Sequence, residues 1–409
     1  MVKGVEIPKD YKLTEVGVIP EDWEVKSIEE LTPMGKKYCI VDGPFGSNLK
    51  TIHYRKSGIP IITSGYVTNG IFFAADYLFV DIEKFKQERR SAVSGGDIVM
   101  AKIGERCGAS AILPLNHVQS ILSGNALKIT IDENKYVTSF IWQILWNKHQ
   151  NNCFELLKTT GAQPAISMAN LKKYKISVPS TRTEQTAIAT ALSDADALIA
   201  SLEKLIAKKR AIKQGAMQEL LTGKKRLPGF TGKWEVKKLG EISEIKTGKK
   251  NNDDKVENGL FPFFVRSQNV ERINTYSFEG EAILIPGEGN IGKIYHYVQG
   301  KFDYHQRVYK ISDFKVNHFG KFIYLFMLQF FNDHAMKNTV KATVDSLRLP
   351  TFQAFEISFP PTTEEQESIS KIIFDMDSEI ELLETKLNKY KALKQGMMQN
   401  LLTGKIRLV

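Results

Sequence analysis

One stretch of this chain occurs twice. Residues 179–227 align without a gap onto residues 360–408, and about half of the positions are identical. The closing motif is nearly verbatim: Lys213-Gln214-Gly215-Ala216-Met217-Gln218-Glu219-Leu220-Leu221-Thr222-Gly223-Lys224 against Lys394-Gln395-Gly396-Met397-Met398-Gln399-Asn400-Leu401-Leu402-Thr403-Gly404-Lys405. A segment duplicated within one polypeptide predicts a pseudo-twofold internal repeat that does the same job at two places.

Both copies read as long helices. Ile188, Leu192, Ala195, Ile199, Leu202 and Ile206 follow a 4-3-4-3-4 spacing, and Ile369, Ile373, Met376, Ile380, Leu383, Leu387 and Tyr390 repeat it. That spacing is a coiled-coil seam. Thr181 with Glu184, and Thr362 with Glu365, form aligned capping boxes at the starts. Gly223 and Gly404 stand where the helices should stop. About 40 residues at 1.5 Å each make a rod of roughly 60 Å.

Charge orients the rods. In each copy the first half carries the acids, among them Glu184, Asp194, Asp196 and Glu203, then Glu364, Glu365, Asp375, Asp377, Glu379 and Glu384. The second half carries the bases, Lys208, Lys209, Arg210 and Lys213, then Lys386, Lys389, Lys391 and Lys394. Antiparallel pairing sets acid against base and opposes the helix dipoles, so the rods are expected to run antiparallel. Gly215 and Gly396 lie inside the helices at equivalent places, which points to a close backbone approach, a bend, or a tolerated accident inherited through the duplication.

The duplication reaches beyond the rods. Trp23-Glu24-Val25-Lys26 recurs as Trp234-Glu235-Val236-Lys237, and each opens a segment with short β-rich runs, a Gly-rich turn and an aromatic helical run (Phe140 to Trp146; Phe322 to Phe331). The expected fold is α/β in a broad, α+β-like mixed sense: two domains with twisted mixed sheets, separated by two long antiparallel coiled-coil helices. The boundaries fall at 1–178 (first domain), 179–227 (first helix), 228–359 (second domain) and 360–409 (second helix). Antiparallel rods would hold the two domains at opposite ends, about 50–60 Å apart at most.

The formal charge of +10 favours an anionic partner such as nucleic acid. Cys39, Cys107 and Cys153 form no CxxC pair, which fits a reduced cytoplasmic setting. The first residues contain no apolar signal core, and the run around Phe322 to Phe331 is too short to span a bilayer. No membrane association is expected.

Catalytic signatures are sparse. Gly287-Glu288-Gly289-Asn290-Ile291-Gly292-Lys293 matches G-x-G-x-x-G, but Ile294 follows Lys293 where a P-loop needs Ser or Thr. The residues after it look like a strand, whereas a phosphate site needs a helix. A turn presenting Asn290 and Lys293 is expected there. Trp-Glu-Val-Lys contains a nuclease-like Glu-x-Lys, yet its upstream acid is not repeated, because Glu21-Asp22 becomes Gly232-Lys233. Trp23 and Trp234 are read as anchors of each domain start. The His residues show no metal-ligand spacing.

Polar loops are the places where reading would occur. In the first domain they offer Ser47, Asn48, Lys50, Ser64, Lys102, Arg106 and Gln163. In the second they offer Lys249, Lys250, Arg266, Gln268, Asn269, Asn290, Lys293, His305, Gln306, Arg307 and Arg348. Arg and Lys match guanine edges and Asn and Gln match adenine, while other Lys residues hold phosphates and fix register.

The layout resembles the specificity (S) subunit of type I restriction–modification systems, the HsdS family. The resemblance is carried by Val18-Ile19-Pro20-Glu21-Asp22-Trp23-Glu24-Val25, by Gly161-Ala162-Gln163-Pro164-Ala165-Ile166-Ser167, by the Pro-x-x-x-x-Glu-Gln that opens each rod, and by Leu-Leu-Thr-Gly-Lys at each rod end. Val265-Arg266-Ser267-Gln268-Asn269-Val270-Glu271 and Phe302-Asp303-Tyr304-His305-Gln306-Arg307 look like one class of its second target recognition domain. It implies a non-catalytic reader of double-stranded DNA, each domain addressing half of an asymmetric bipartite site through the major groove. It also implies that the rods set the spacing and hold two methyltransferase subunits, which use S-adenosylmethionine to methylate adenine. Restriction subunits driven by ATP and Mg would join through those, and no cofactor would sit in this chain. Thr343-Val344-Asp345-Ser346-Leu347-Arg348 stands where the first domain has Gly161-Ala162-Gln163-Pro164-Ala165-Ile166, so base contacts do not transfer directly between the halves. Two alternatives stay open on residues alone: a coiled-coil adaptor that binds only protein, and a nucleotide-binding enzyme acting through Gly287 to Lys293.

Overall fold

Two units divide the chain, and each is assembled from segments distant in sequence. One comprises residues 1–201 and 387–409, the other residues 202–386. The computed structural model describes residues 7–159, 163–289, 291–337 and 346–408. Gly161, Ala162, Asn290 and Thr343 to Asp345, all named above, lie outside the described residues.

In unit 1, β1 (Tyr11–Thr14) and β2 (Gly17–Pro20) form a hairpin. β3 (Glu24–Ser27) follows, then β4 (Ile40–Asp42), β5 (Ile59–Ile62), β6 (Phe79–Val80), α1 (Ile82–Gln87), β7 (Ala92–Val93), β8 (Ile98–Ala101), β9 (Ser110–Ile112), β10 (Ser120–Leu122) and β11 (Ala126–Ile129). Strands β4 to β11 make two sheets, ordered β4-β11-β8-β9 and β6-β5-β10-β7. All four residues of β8 are apolar and buried, as expected for a strand covered on both faces. The aromatic helix α2 (Thr138–Gln150) buries Phe140, Ile141, Ile144 and Leu145, the stripe that its 3.6-residue period aligns. β12 (Lys158–Thr159), β13 (Ala165–Ile166) and α3 (Met168–Lys173) lead to β14 (Lys175–Val178), which pairs antiparallel with β3. α4 (Arg182–Leu220) then begins.

Unit 2 repeats this plan. After β15 (Glu235–Lys238) and α5 (Leu239–Ile242), β16 (Glu244–Thr247), β17 (Phe261–Phe264), β18 (Glu271–Ile273), β19 (Phe278–Pro286), β20 (His296–Tyr304) and β21 (Val308–Ser312) form one six-stranded sheet, β16-β21-β19-β20-β17-β18. α6 (Gly320–Lys337), α7 (Leu349–Gln353), β22 (Glu356–Phe359) and α8 (Thr363–Leu401) complete it, and β22 pairs with β15 as β14 does with β3. The order β16-β21-β19-β20 reproduces β4-β11-β8-β9, and the parallel pair β17·β20 reproduces β5·β10. The nine residues of β20 run unbroken where unit 1 has the two short strands β9 and β10.

The helices α4 and α8 have 39 residues each and run antiparallel in both units. In unit 1 Lys394 Nζ reaches Asp196 at 2.5 Å. In unit 2 Lys213 pairs with Asp377, Arg210 with Glu384 at 2.5 Å and Lys209 with Glu379 at 2.6 Å. Asp196 and Asp377, like Lys213 and Lys394, are equivalent positions of the repeat. Of the seam residues, Ile188, Leu192, Leu202, Ile206, Ile369, Ile373 and Ile380 are buried, while Ile199, Leu383 and Leu387 are half-buried. Gly215 and Gly396 do not serve a close approach. A Cβ on either would meet open space, so a methyl group would be tolerated at both positions.

The helix ends lock the units in the same way twice. Glu184, only 1% exposed, receives two hydrogen bonds from Arg407: Nε to Oε1 at 2.5 Å and an Nη to Oε2 at 2.8 Å. Glu365, fully buried, receives the same fork from Arg226 at 2.6 and 2.7 Å. A buried carboxylate is tolerable only when so paired. The capping-box expectation is therefore half met. Thr181 and Thr362 accept from the Glu184 and Glu365 amides at 3.3 Å, but the carboxylates are committed to arginine rather than to the cap. The adjacent glutamines hold the aromatic helices. Gln185 Oε1 accepts from Val137 N and Gln366 Oε1 from Phe319 N, each at 2.8 Å, at the residue that precedes α2 or α6. Gly223 (φ 69°) and Gly404 (φ 71°) end the rods in the left-handed region, with the Trp234 ring against the first and Pro20 and Trp23 against the second. Trp23 is fully buried and donates to Glu184 at 3.3 Å; Trp234 is half-buried.

Candidate nucleic-acid interface

The candidate loops gather at strand ends, and the backbone that gathers them is the same in both units. In unit 1, Ser123 N donates to Ile62 O at 2.9 Å, Lys102 N to Asn125 O at 2.8 Å and Ile166 N to Lys102 O at 2.9 Å, and Ile103 bridges Ala165. In unit 2, His305 N donates to Phe264 O at 2.9 Å, Gly287 N to Arg307 O at 2.8 Å and Leu347 N to Gly287 O at 2.8 Å, and Glu288 bridges Ser346. These four links pair Ser123 with His305, Asn125 with Arg307, Lys102 with Gly287, Ile103 with Glu288, and Ala165-Ile166 with Ser346-Leu347. The alignment of Gly161–Ile166 with Thr343–Arg348 is thus one residue out of register. Counting on from Ile62 and Phe264, Ser64 stands where unit 2 has Arg266.

Two glycines let this frame close. A Cβ on Gly43 would collide with the carbonyls of Leu122 and Ser123, and one on Gly248 with those of Tyr304 and His305. The glycines follow β4 and β16, at matching places. Loop 43–50 thereby reaches the end of β10, and loop 248–251 the end of β20. Gln306 N donates to Lys250 O at 2.8 Å.

The side chains on this frame differ. In unit 1, Lys102 Nζ is 2.5 Å from Asp42 Oδ2 and 4.1 Å from the Phe45 ring centroid, and Arg90 reaches the same carboxylate at 3.5 Å. Asn125 Oδ1 accepts from Ser64 N at 3.2 Å. Arg106 donates to Asn69 at 2.8 Å. Asn48, Lys50 and Gln163 are exposed, and Ser47 lies in the 3₁₀ turn Gly46–Asn48. In unit 2, Glu288 gathers Arg307 at 2.6 Å and Arg266 at 3.4 Å. Lys249, Gln268, Asn269, Lys293 and Arg348 are exposed. Gln306 donates to Asn251 Oδ1 at 2.5 Å. His305 differs from the expectation of a solvent-facing reader. It is 6% exposed, and its Nδ1 accepts from Arg307 N at 2.9 Å. Burial, then the charges of Arg266 and Arg307, hold its pKa below the usual histidine value. It therefore stays neutral and shapes the turn that carries Arg307.

Residue reasoning missed Asn69, Arg90, Asn125, Asn251 and Glu288. Asn125 directly follows the loop glycine Gly124, and that is the signal the sequence offers. In the sequence Glu288 stands out only as part of the G-x-G-x-x-G string. That string joins the antiparallel strands β19 and β20 and opens no helix, so it lacks the helix N-terminus of a phosphate site. Among the described residues no helix is long and apolar enough to cross a membrane.

Two sheet domains, each closed by two antiparallel helices and carrying divergent loops on a shared frame, define a duplicated recognition protein. The sequence profile described as "Type I restriction modification DNA specificity domain" matches residues 20–213 and 231–392, and the chain belongs to that family. It is 25% identical over 428 residues to the type I restriction enzyme MjaVIII specificity subunit of Methanocaldococcus jannaschii, covering 95% of this chain and 94% of that protein. The crystal structure of the type I restriction–modification S subunit from M. genitalium aligns with a TM-score of 0.62 at 18% identity, over 95% of this chain and 97% of that one. A chain solved in work on complex assembly and conformational transition of the type I R-M system aligns at 0.54 and 13% identity, over 95% and 99%.

Proposed function

We propose that this chain is the DNA-reading specificity subunit of a type I restriction–modification complex and performs no chemistry itself. Each domain reads one half of an asymmetric bipartite duplex site in the major groove. The long helices set the spacing and seat two methyltransferase subunits. Those subunits supply S-adenosylmethionine and methylate adenine in each half-site; restriction subunits using ATP and Mg join through them, in the cytoplasm. The observation that carries this reading is the shared hydrogen-bond frame at the strand ends, which presents Ser64, Lys102 and Asn125 in one domain and Arg266, Glu288 and Arg307 in the other. One frame with two chemistries is what an asymmetric site requires, since Arg suits guanine and Asn adenine.

The test is nuclease protection of DNA by this chain with and without its methyltransferase subunits. Two protected blocks separated by an unread spacer are expected, with affinity falling steeply between 50 and 200 mM salt as counterions are released, roughly a thousandfold or more for six or more phosphate contacts. No protection in the assembled complex would refute the reading.

A further inference from the structure

The carboxylate of Glu288 lies between two guanidinium groups. Its side chain is 23% exposed, whereas those of Arg266 and Arg307 are 50% and 56% exposed. Its backbone is fixed by the bridge to Ser346, and Arg307 is fixed by Gly287 N donating to its carbonyl and by its own N–H donating to His305. The carboxylate is therefore the anchored member and the guanidiniums the presented ones. Ion pairs this exposed add little to stability. Their value here is geometric. A held fork is already oriented for the bidentate contact with guanine O6 and N7 and loses less freedom on binding. The acid also cancels one positive charge where a phosphate would otherwise be drawn in.

Unit 1 supplies the contrast. At the three equivalent frame positions it has Ser64, Ile103 and Asn125, so the cluster is a property of the second domain's loops and not of the fold.

We propose that Glu288 is the positioning residue of the second domain's reading site, orienting Arg266 and Arg307 toward guanine edges and discouraging non-specific phosphate contacts. This rests on the DNA-reading function proposed above. It requires at least one G·C pair at a fixed place in the second half-site.

The experiment expresses the full chain with its methyltransferase subunits in a host that has no adenine methylation of its own, and reads the methylated motif across the genome. For Glu288→Gln, sites altered at one position of the second half-site should be methylated about 10- to 100-fold more than by the wild-type complex, the span of one bidentate contact. The first half-site should be read unchanged. Glu288→Asp, which keeps the charge, should restore most of the discrimination. With the purified complex, non-specific duplex binding by Glu288→Gln should tighten and its salt slope steepen by about one charge. An unchanged motif with Glu288→Gln overturns the assignment. So does loss of all methylation with both variants, which would make Glu288 a scaffold residue. A wild-type complex that methylates no bipartite motif refutes the DNA-reading function itself, and the assignment falls with it.

Discussion

The pair Glu184–Arg407 in unit 1 and the pair Glu365–Arg226 in unit 2 have the same atoms, the same fork and nearly the same distances. A few strands away, Ser64, Ile103 and Asn125 face the same backbone links as Arg266, Glu288 and Arg307. The helix joints have been kept and the loop chemistry replaced. Charge even changes places: the loop after β8 gives unit 1 a cation, Lys102, while the loop after β19 gives unit 2 an acid, Glu288. The joints differ in two details. Trp23 Nε1 donates to Glu184, whereas the buried Trp234 Nε1 has no hydrogen-bond partner among the described residues. Asp22, held below the usual carboxylate range by Arg407, becomes Lys233, and Arg226 turns instead to the carbonyls of Gly232 and Thr231. A joint must satisfy one buried carboxylate, and few arrangements do so. A loop must match an outside partner, and many can.

The largest expected effect breaks the joints. Arg407→Ala or Arg226→Ala strands a buried carboxylate and should cost about 3–5 kcal/mol each in urea unfolding. The two should agree within about 1 kcal/mol, because half-exposed Asp22 rehydrates when it loses its partner. A cost below about 1 kcal/mol for either would end the claim that the joints are equivalent. Next come the glutamines. Gln185→Ala and Gln366→Ala each remove the acceptor for the N–H that precedes an aromatic helix, at about 1–3 kcal/mol by the same measurement.

The loops should answer differently. Asn125→Ala should relax the methylated motif at one position of the first half-site and Arg307→Ala at one position of the second, each about 10- to 100-fold. Neither should move the unfolding midpoint much. Relaxation of both half-sites by one substitution would contradict the division of labour between the domains.

The smallest effect is in pH. Burial lowers the pKa of His149 in unit 1 and of both His296 and His305 in unit 2. These imidazoles stay neutral in the native state, while the unfolded chain takes up protons near the ordinary histidine value of about 6.5. The unfolded state then binds more protons, so stability falls as pH drops from 7.5 to 5.5. Unit 2, with two such groups, should lose more protection against amide exchange than unit 1.

Much of the scaffold was legible in the sequence because helices and joints obey local rules. The heptad spacing, the Gly223 and Gly404 stops and the acid-to-base gradient each follow from neighbours along the chain, and antiparallel helices resulted. The close approach expected at Gly215 and Gly396 is absent, because no sequence pattern reports the open space beside a helix face. Candidate loops were findable from Gly43, Gly104 and Gly248, but their grouping was not. Arg266 meets Arg307 only through Glu288, and that meeting depends on strand register across 41 residues of chain. In the sequence His305 belongs to the polar run His305-Gln306-Arg307, which is why it stands among the expected base contacts. The structure turns it inward to hold the turn.

The two joints also draw on the chain in a fixed sequence order. Unit 2 needs only residues 202–386, whereas unit 1 needs residues 387–409 as well. Both residues of the Glu365–Arg226 joint are therefore translated before Arg407, the last member of the other joint. A chain that stops short of Arg407 leaves the buried Glu184 carboxylate without its guanidinium partner.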